Sequence, residues 1–220
     1  MKREANQMSE PTTSIPSKAP SLVELADALD NEGMIGYTRA FVQDFRQGLN
    51  HVSLERFDWM NQLANKKWAG ILCLGMGGSA AGGEFLSALA SFQGTIPVQV
   101  QRDYTLPAWW NPTWLIVATS HSGNTEETLE ATETGLKSGA TVVVISTGGI
   151  LAGLPELYTN CYLVPSIGGQ PPRSAFGHIF SRQLGLLRHL EVLPMPHDGA
   201  DEAMLQRLQK AMDGFDLLND

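Results

Sequence analysis

Cysteine is almost absent from this chain, with two among 220 residues. Cys73 and Cys161 each lie in an apolar run, without a second cysteine or a histidine at metal-ligand spacing. Neither a disulfide framework nor a zinc site is therefore indicated, and both read as small buried hydrophobes of a reduced, cytoplasmic protein. Long hydrophobic stretches are missing too. Runs such as 114–118 and 142–145 fall far short of the roughly 20 apolar residues of a spanning helix, so no membrane segment is expected. The first residues carry Lys2 and Arg3 but continue through Asn6, Ser9, Pro11 and Thr12, without the apolar stretch of a secretion signal. Positive charge is in deficit, with 15 basic against 23 acidic residues and a net charge of −8. With no Lys/Arg cluster to offset it, a nucleic-acid partner is not expected. What remains is 43% hydrophobic and 17% charged, a globular composition sufficient for one large domain or two small ones.

Residues 1–20 hold Pro11, Pro16 and Pro20 among Ser and Thr, with few apolar groups to offset ordering entropy, and read as a disordered tail. Ser21 with Glu24 forms a capping box before Leu22, Leu25, Ala26 and Leu29. Further helices are expected over 37–48 and 54–67, so that 21–68 is a helical preface. From Ala69 the pattern changes to β-branched runs at 71–74, 96–101, 115–119, 141–146 and 161–164, separated by helical periods at 79–92, 126–137 and 174–190. That alternation predicts an α/β fold of three layers, α/β/α, with a doubly wound, five-stranded parallel sheet. The expected strand order is the flavodoxin-like 2-1-3-4-5, which places a ligand crevice where strands 1 and 3 part company. Residues 69–195 would form this domain, and 196–220 a C-terminal helix or connector, helical over about 202–212.

The loops leaving strands 1 and 3 are the richest in small and polar residues. Gly75-Met76-Gly77-Gly78-Ser79-Ala80 fits G-x-G-x-x-A, and Asp103 lies just past strand 2, so a dinucleotide site is one reading. A phosphate-binding turn of another kind, or a tight turn for helix-on-sheet packing, accounts for the same glycines. The loop Ser120-His121-Ser122-Gly123-Asn124-Thr125 places three hydroxyls at a strand end and a helix start, which suits a phosphate without a lysine. An N-cap at Ser122 or Thr125 explains one hydroxyl, not three. Arg173, in Pro171-Pro172-Arg173-Ser174 after strand 5, can reach the crevice with a permanent charge, or sit in a surface salt bridge. His178 and His189 read as a partly buried and an exposed side chain. His121 suits proton work or packing equally.

Together these pieces resemble the sugar isomerase (SIS) domain proteins, and within them the bifunctional phosphoglucose/phosphomannose isomerases. The likeness rests on residues 75–79, 103–107, 120–128 and 172–175, with 29–41 resembling that family's helical preface. The resemblance implies that Ser79, Ser120, Ser122 and Thr125 hold a sugar phosphate, beside Gly77, Gly78, Gly123 and Asn124. It implies that Arg173 is catalytic, stabilising the enediolate as glucose 6-phosphate or mannose 6-phosphate is converted to fructose 6-phosphate. No metal or other cofactor is implied, and a homodimer is. His121 departs from the family, taking the place of an aromatic residue between the two serines. Family members also carry a second SIS domain that brings the glutamate base, whereas this chain ends at Asp220. The first domain alone is therefore expected, with the base missing or improvised from Glu84 or Glu127. A binding module without turnover is the alternative, and a dinucleotide-binding protein a second one.

Overall fold

Five β-branched runs become five parallel strands: β1 (Gly70–Leu74), β2 (Val98–Gln101), β3 (Trp114–Ser120), β4 (Val142–Ser146) and β5 (Cys161–Pro165). The computed structural model describes residues 19–216 and 218, so most of the expected tail lies outside the described residues. The sheet order is β2-β1-β3-β4-β5, the order expected from the alternation of elements. Helices cover both faces, as they must where strands are apolar throughout.

Alternation along each strand builds two cores. Ile71, Cys73, Leu115, Val117, Val143 and Ile145 face one side, where α2 (Met34–His51), α3 (Trp59–Ala64), α4 (Gly77–Gln93) and α7 (Phe176–His189) pack, with α8 (Ala200–Phe215) behind. Leu72, Leu74, Ile116, Ala118, Val142 and Val144 face α5 (Glu126–Lys137) and α6 (Gly149–Leu157) on the other. The two cysteines therefore lie on opposite faces of the sheet, both buried and unbridged, and burial pushes each thiol up to about 12.

The capping box is present in α1 (Leu22–Leu29), with the Glu24 amide donating to Ser21 Oγ at 3.2 Å and the Ser21 amide to Glu24 Oε2 at 2.7 Å. The helix predicted over 54–67 is shorter than expected: residues 54–56 form a turn and only α3 is helical. The sequence reading missed α6 altogether, because Gly148, Gly149, Gly153 and Pro155 read as loop. Burial of Leu151 and Leu154 against the second core outweighs that poor propensity.

Candidate functional site

At the carboxyl end of the sheet, register pairs Leu74 with Ala118, which brings Gly75 beside Thr119. A Cβ on Gly75 would stand 3.0 Å from the Thr119 carbonyl, a tight approach to backbone that favours glycine where the first loop crosses strand 3. Gly77 takes φ +50 as α4 begins, leaving Gly77 and Gly78 exposed and Ser79 half-buried in the first turn.

The second loop closes on itself through its hydroxyls. Ser120 Oγ lies 2.9 Å from Thr125 Oγ1 and accepts from the Gly123 amide at 3.1 Å, while Ser122 Oγ accepts from the Asn124 amide at 3.2 Å. Thr125 occupies the N-cap position of α5, but neither its side chain nor that of Ser122 caps the helix. The leading N–H groups of α5, without a side-chain cap, thus start beside a loop whose Ser122 is exposed, Thr125 half-buried and Ser120 buried, with the positive end of the helix dipole there.

A third loop, missed at the sequence level, holds this one in place. Thr147 donates through its amide and hydroxyl to the His121 carbonyl at 3.3 and 2.7 Å, and the Leu151 amide donates to the Gly123 carbonyl at 2.9 Å. Asn124 Oδ1 accepts from the Ile150 amide at 3.0 Å, which makes that oxygen a strut between loops. Gly123 (φ +69) is buried against the Gly148 carbonyl, and Gly149 (φ +68), though exposed, abuts the Ser122 carbonyl; a Cβ would stand 1.8 and 2.4 Å from these oxygens.

The loops after β1 and β5 also meet, with the Pro172 carbonyl 3.9 Å from where a Cβ on Gly78 would lie. Arg173, next to Pro172, is exposed and its guanidinium pairs with Glu32 in the turn before α2, the salt-bridge alternative of the sequence reading. Of the two carboxylates considered as improvised bases, Glu84 is exposed and paired with Arg102 at 3.0 Å. Glu127 sits half-buried in the first turn of α5, where it leads Glu126 and Glu130 in raising the Tyr104 pKa. Asp103 Oδ1 accepts from the Thr105 amide at 3.3 Å, so it shapes its own turn. Among the described residues no His/Cys/Asp/Glu cluster could hold a metal ion, and no helix is long and apolar enough to cross a membrane.

No protein-family model matches the chain. Over 135 residues it is 38% identical to the bifunctional phosphoglucose/phosphomannose isomerase of Caldicellulosiruptor bescii, a match covering 61% of this chain and 39% of that protein. Among solved structures, the tagatose-6-phosphate ketose/aldose isomerase from Escherichia coli superposes with a TM-score of 0.63 at 16% identity, over 82% of this chain and 53% of that one. The fold is that of the SIS phosphosugar isomerases. The Vibrio vulnificus NanR protein complexed with ManNAc-6P shares it with a TM-score of 0.52 at 16% identity, over 87% of this chain and 73% of that one. This chain spans less than half the length of the curated isomerases it matches.

Behind the crevice, the SIS fold here carries a buried polar layer on α7. His178 is buried, not partly exposed as the sequence suggested, with Nε2 3.3 Å from Asp44 Oδ1. Arg182 is fully buried and donates to the carbonyls of Pro165 and His178, each at 2.9 Å. Gln183 donates through Nε2 to Thr119 Oγ1 at 2.9 Å, fixing the strand end just before Ser120. His189, expected to be exposed, is half-buried and lies 3.0 Å from the Val52 carbonyl.

Burial keeps three histidines neutral. It pushes His51 down to about 4, helped by the charges of Arg182 and Arg56, whose guanidinium contacts the ring. His121 is lowered by burial alone; in His178 burial outweighs the opposing pull of Asp44. In the unfolded chain these rings bind protons near pH ~6.5, so between pH 7 and 5 unfolding takes up protons and stability falls. The urea midpoint is expected to drop over that interval, and less steeply in His51→Gln. A midpoint that does not move between pH 7 and 5 contradicts this assignment.

Proposed function

We propose that this chain binds a sugar 6-phosphate in the β1/β3 crevice and serves aldose-ketose isomerisation between glucose 6-phosphate or mannose 6-phosphate and fructose 6-phosphate. The observation that carries the reading is the convergence of Ser120, Ser122 and Thr125 on the uncapped N-terminus of α5. A phosphate dianion there meets hydroxyl donors and free amides at the positive end of a helix dipole. Gly77, Gly78 and Ser79 on one side, and Gly123 and Asn124 on the other, border the sugar. Isomerisation passes a proton between C2 and C1 through an enediolate, whose oxyanion needs a nearby positive charge. Arg173 supplies it by exchanging Glu32 for the substrate. The base comes from a neighbouring domain or chain, or from Glu127 in the first turn of α5, since Glu84 is engaged by Arg102. Residues 69–195 form the sugar-phosphate domain of a cytoplasmic homodimer, in which the reaction requires no metal or nucleotide.

Calorimetric titration with glucose, mannose and fructose 6-phosphates, beside a coupled assay for fructose 6-phosphate, tests the reading. Ser122→Ala and Thr125→Ala are each expected to weaken binding by about tenfold, the loss of one hydrogen bond to a charged group. Unchanged affinity in both variants places the phosphate elsewhere. Binding without turnover favours a phosphosugar-binding module, the second reading, which the Glu32-paired resting position of Arg173 supports. Binding of NAD but not of sugar phosphates transfers the assignment to Gly75, Gly77 and Asp103.

A further inference from the structure

Residues 166–175, which carry Arg173 from β5 to α7, contain no helix or strand. Ser166 roots the segment through its amide, which donates to the Ser146 carbonyl at 2.7 Å. Beyond that root its polar side-chain tethers run to α2 and the turn before it. Tyr37 donates its hydroxyl to the Gly169 carbonyl at 3.3 Å, Gln170 Nε2 donates to Asp44 Oδ2 at 3.4 Å, and Arg173 pairs with Glu32. Gln170 is the pivot within the segment, because its Oε1 also lies 3.2 Å from Ser174 Oγ, whose hydroxyl it shares with the Pro171 carbonyl at 2.8 Å. Its side chain thus spans from the residue next to Arg173 to a carboxylate on another helix.

That carboxylate is 9% exposed, and a buried carboxylate needs partners for both oxygens. Asp44 Oδ2 takes Gln170, while Oδ1 faces His178 Nε2 at 3.3 Å on the first turn of α7. Arg182 on α7 and His121 in the β3–α5 loop are the further charged or titratable groups felt here, and the helices meet closely enough because of two glycines. A Cβ on Gly177 would stand 3.2 Å from that of Asp44, and one on Gly48 1.7 Å from Ser181 Oγ. One side chain of α2 therefore grips the Arg173 segment and the helix that follows it.

We propose that Asp44 is a positioning residue for Arg173, ordering the 168–174 segment through Gln170 while anchoring the start of α7 through His178. The catalytic consequence rests on the reading above, in which Arg173 meets the reacting carbons of the sugar and the serine loop meets the phosphate. Loss of the grip loosens the guanidinium without touching the phosphate site.

The test compares Gln170→Ala, Asp44→Asn and Asp44→Ala by hydrogen exchange of peptides covering residues 166–175, with affinities for inorganic phosphate and fructose 6-phosphate. Gln170→Ala leaves the Asp44–His178 contact in place, so it decides the matter even if Asp44→Ala does not fold. It is expected to speed exchange of the segment about fivefold, the worth of one hydrogen bond. Fructose 6-phosphate affinity falls and inorganic phosphate affinity stays. Asp44→Asn, which keeps one acceptor oxygen where the carboxylate has two, retains one of the two contacts and falls between the wild type and Asp44→Ala. Unaltered exchange in Gln170→Ala overturns the proposal, as does a parallel loss of both affinities with global stability, which marks Asp44 as structural only. A wild-type chain that ignores fructose 6-phosphate defeats the functional reading instead, and the exchange arm still decides whether Asp44 orders the segment.

Discussion

Gly123→Ala is expected to cost about 3 kcal/mol, combining left-handed backbone strain with an overpacked contact. The residue sits at φ +69, and the new methyl would lie 1.8 Å from the Gly148 carbonyl, so the backbone of one loop must move. That movement separates the Leu151 amide from the Gly123 carbonyl and Ile150 from Asn124, the contacts that fix the serine loop. For a chain of this size the thermal midpoint should fall by about 6 to 12 °C. Sugar-phosphate stabilisation should disappear with it, because the three hydroxyls lose their common orientation. Gly139→Ala is the control, since φ is +87 but nothing lies within 4 Å of the added methyl. It should cost only the backbone strain, about 1 kcal/mol. Equal losses in the two variants, read by thermal denaturation, would show that the interlock of loops contributes nothing.

Arg182→Ala is expected to destabilise the protein by about 4 kcal/mol, from a cavity and the loss of two side-chain hydrogen bonds. The side chain is 1% exposed and joins the Pro165 carbonyl at the end of β5 to the His178 carbonyl on α7. Burial and the charge of Arg56 push its pKa down to about 10, against the opposing pull of Asp44, so the charge itself is held at a cost. Arg182→Met should therefore lose less than half as much, since it refills the space and relieves the buried charge without restoring the two hydrogen bonds. Urea unfolding compares the two. An alanine variant within about 1 kcal/mol of the wild type would mean that Arg182 is not what ties β5 to α7.

Much of the architecture was legible because it depends on local periodicity. Runs such as 142–145 are apolar at every position, as a strand covered on both faces requires, and helical stretches of the right length follow the first, third and fifth strands. Right-handed crossovers then leave few orders to choose from. The glycine and serine loops were legible for the same reason, as clusters of small residues at strand ends. What escaped was decided by neighbours distant in sequence. In α6, Pro155 and three nearby glycines argue for loop, and Leu151 and Leu154 overrule them only once a sheet is there to receive them.

The polar face of α7 escaped in the same way. His178 read as partly buried, and nothing in the sequence singled out Ser181, Arg182 and Gln183, yet all four are buried, because α7 lies between α2, α4 and the sheet and has no solvated side there. Asn124 was readable as a polar group at the crevice, and only the structure shows its Oδ1 accepting from the Ile150 amide. Arg173 was readable as a charge at a strand end, and only the fold shows it resting on Glu32, far upstream in the chain. The sequence by itself determined the strand order, the place of the crevice and the hydroxyls at its edge, since these follow from short-range pattern and the twist of parallel sheets. Only the tertiary structure decided how those loops are locked together and what holds Arg173, because a buried hydrogen bond is specified by two partners and a sequence shows them one at a time.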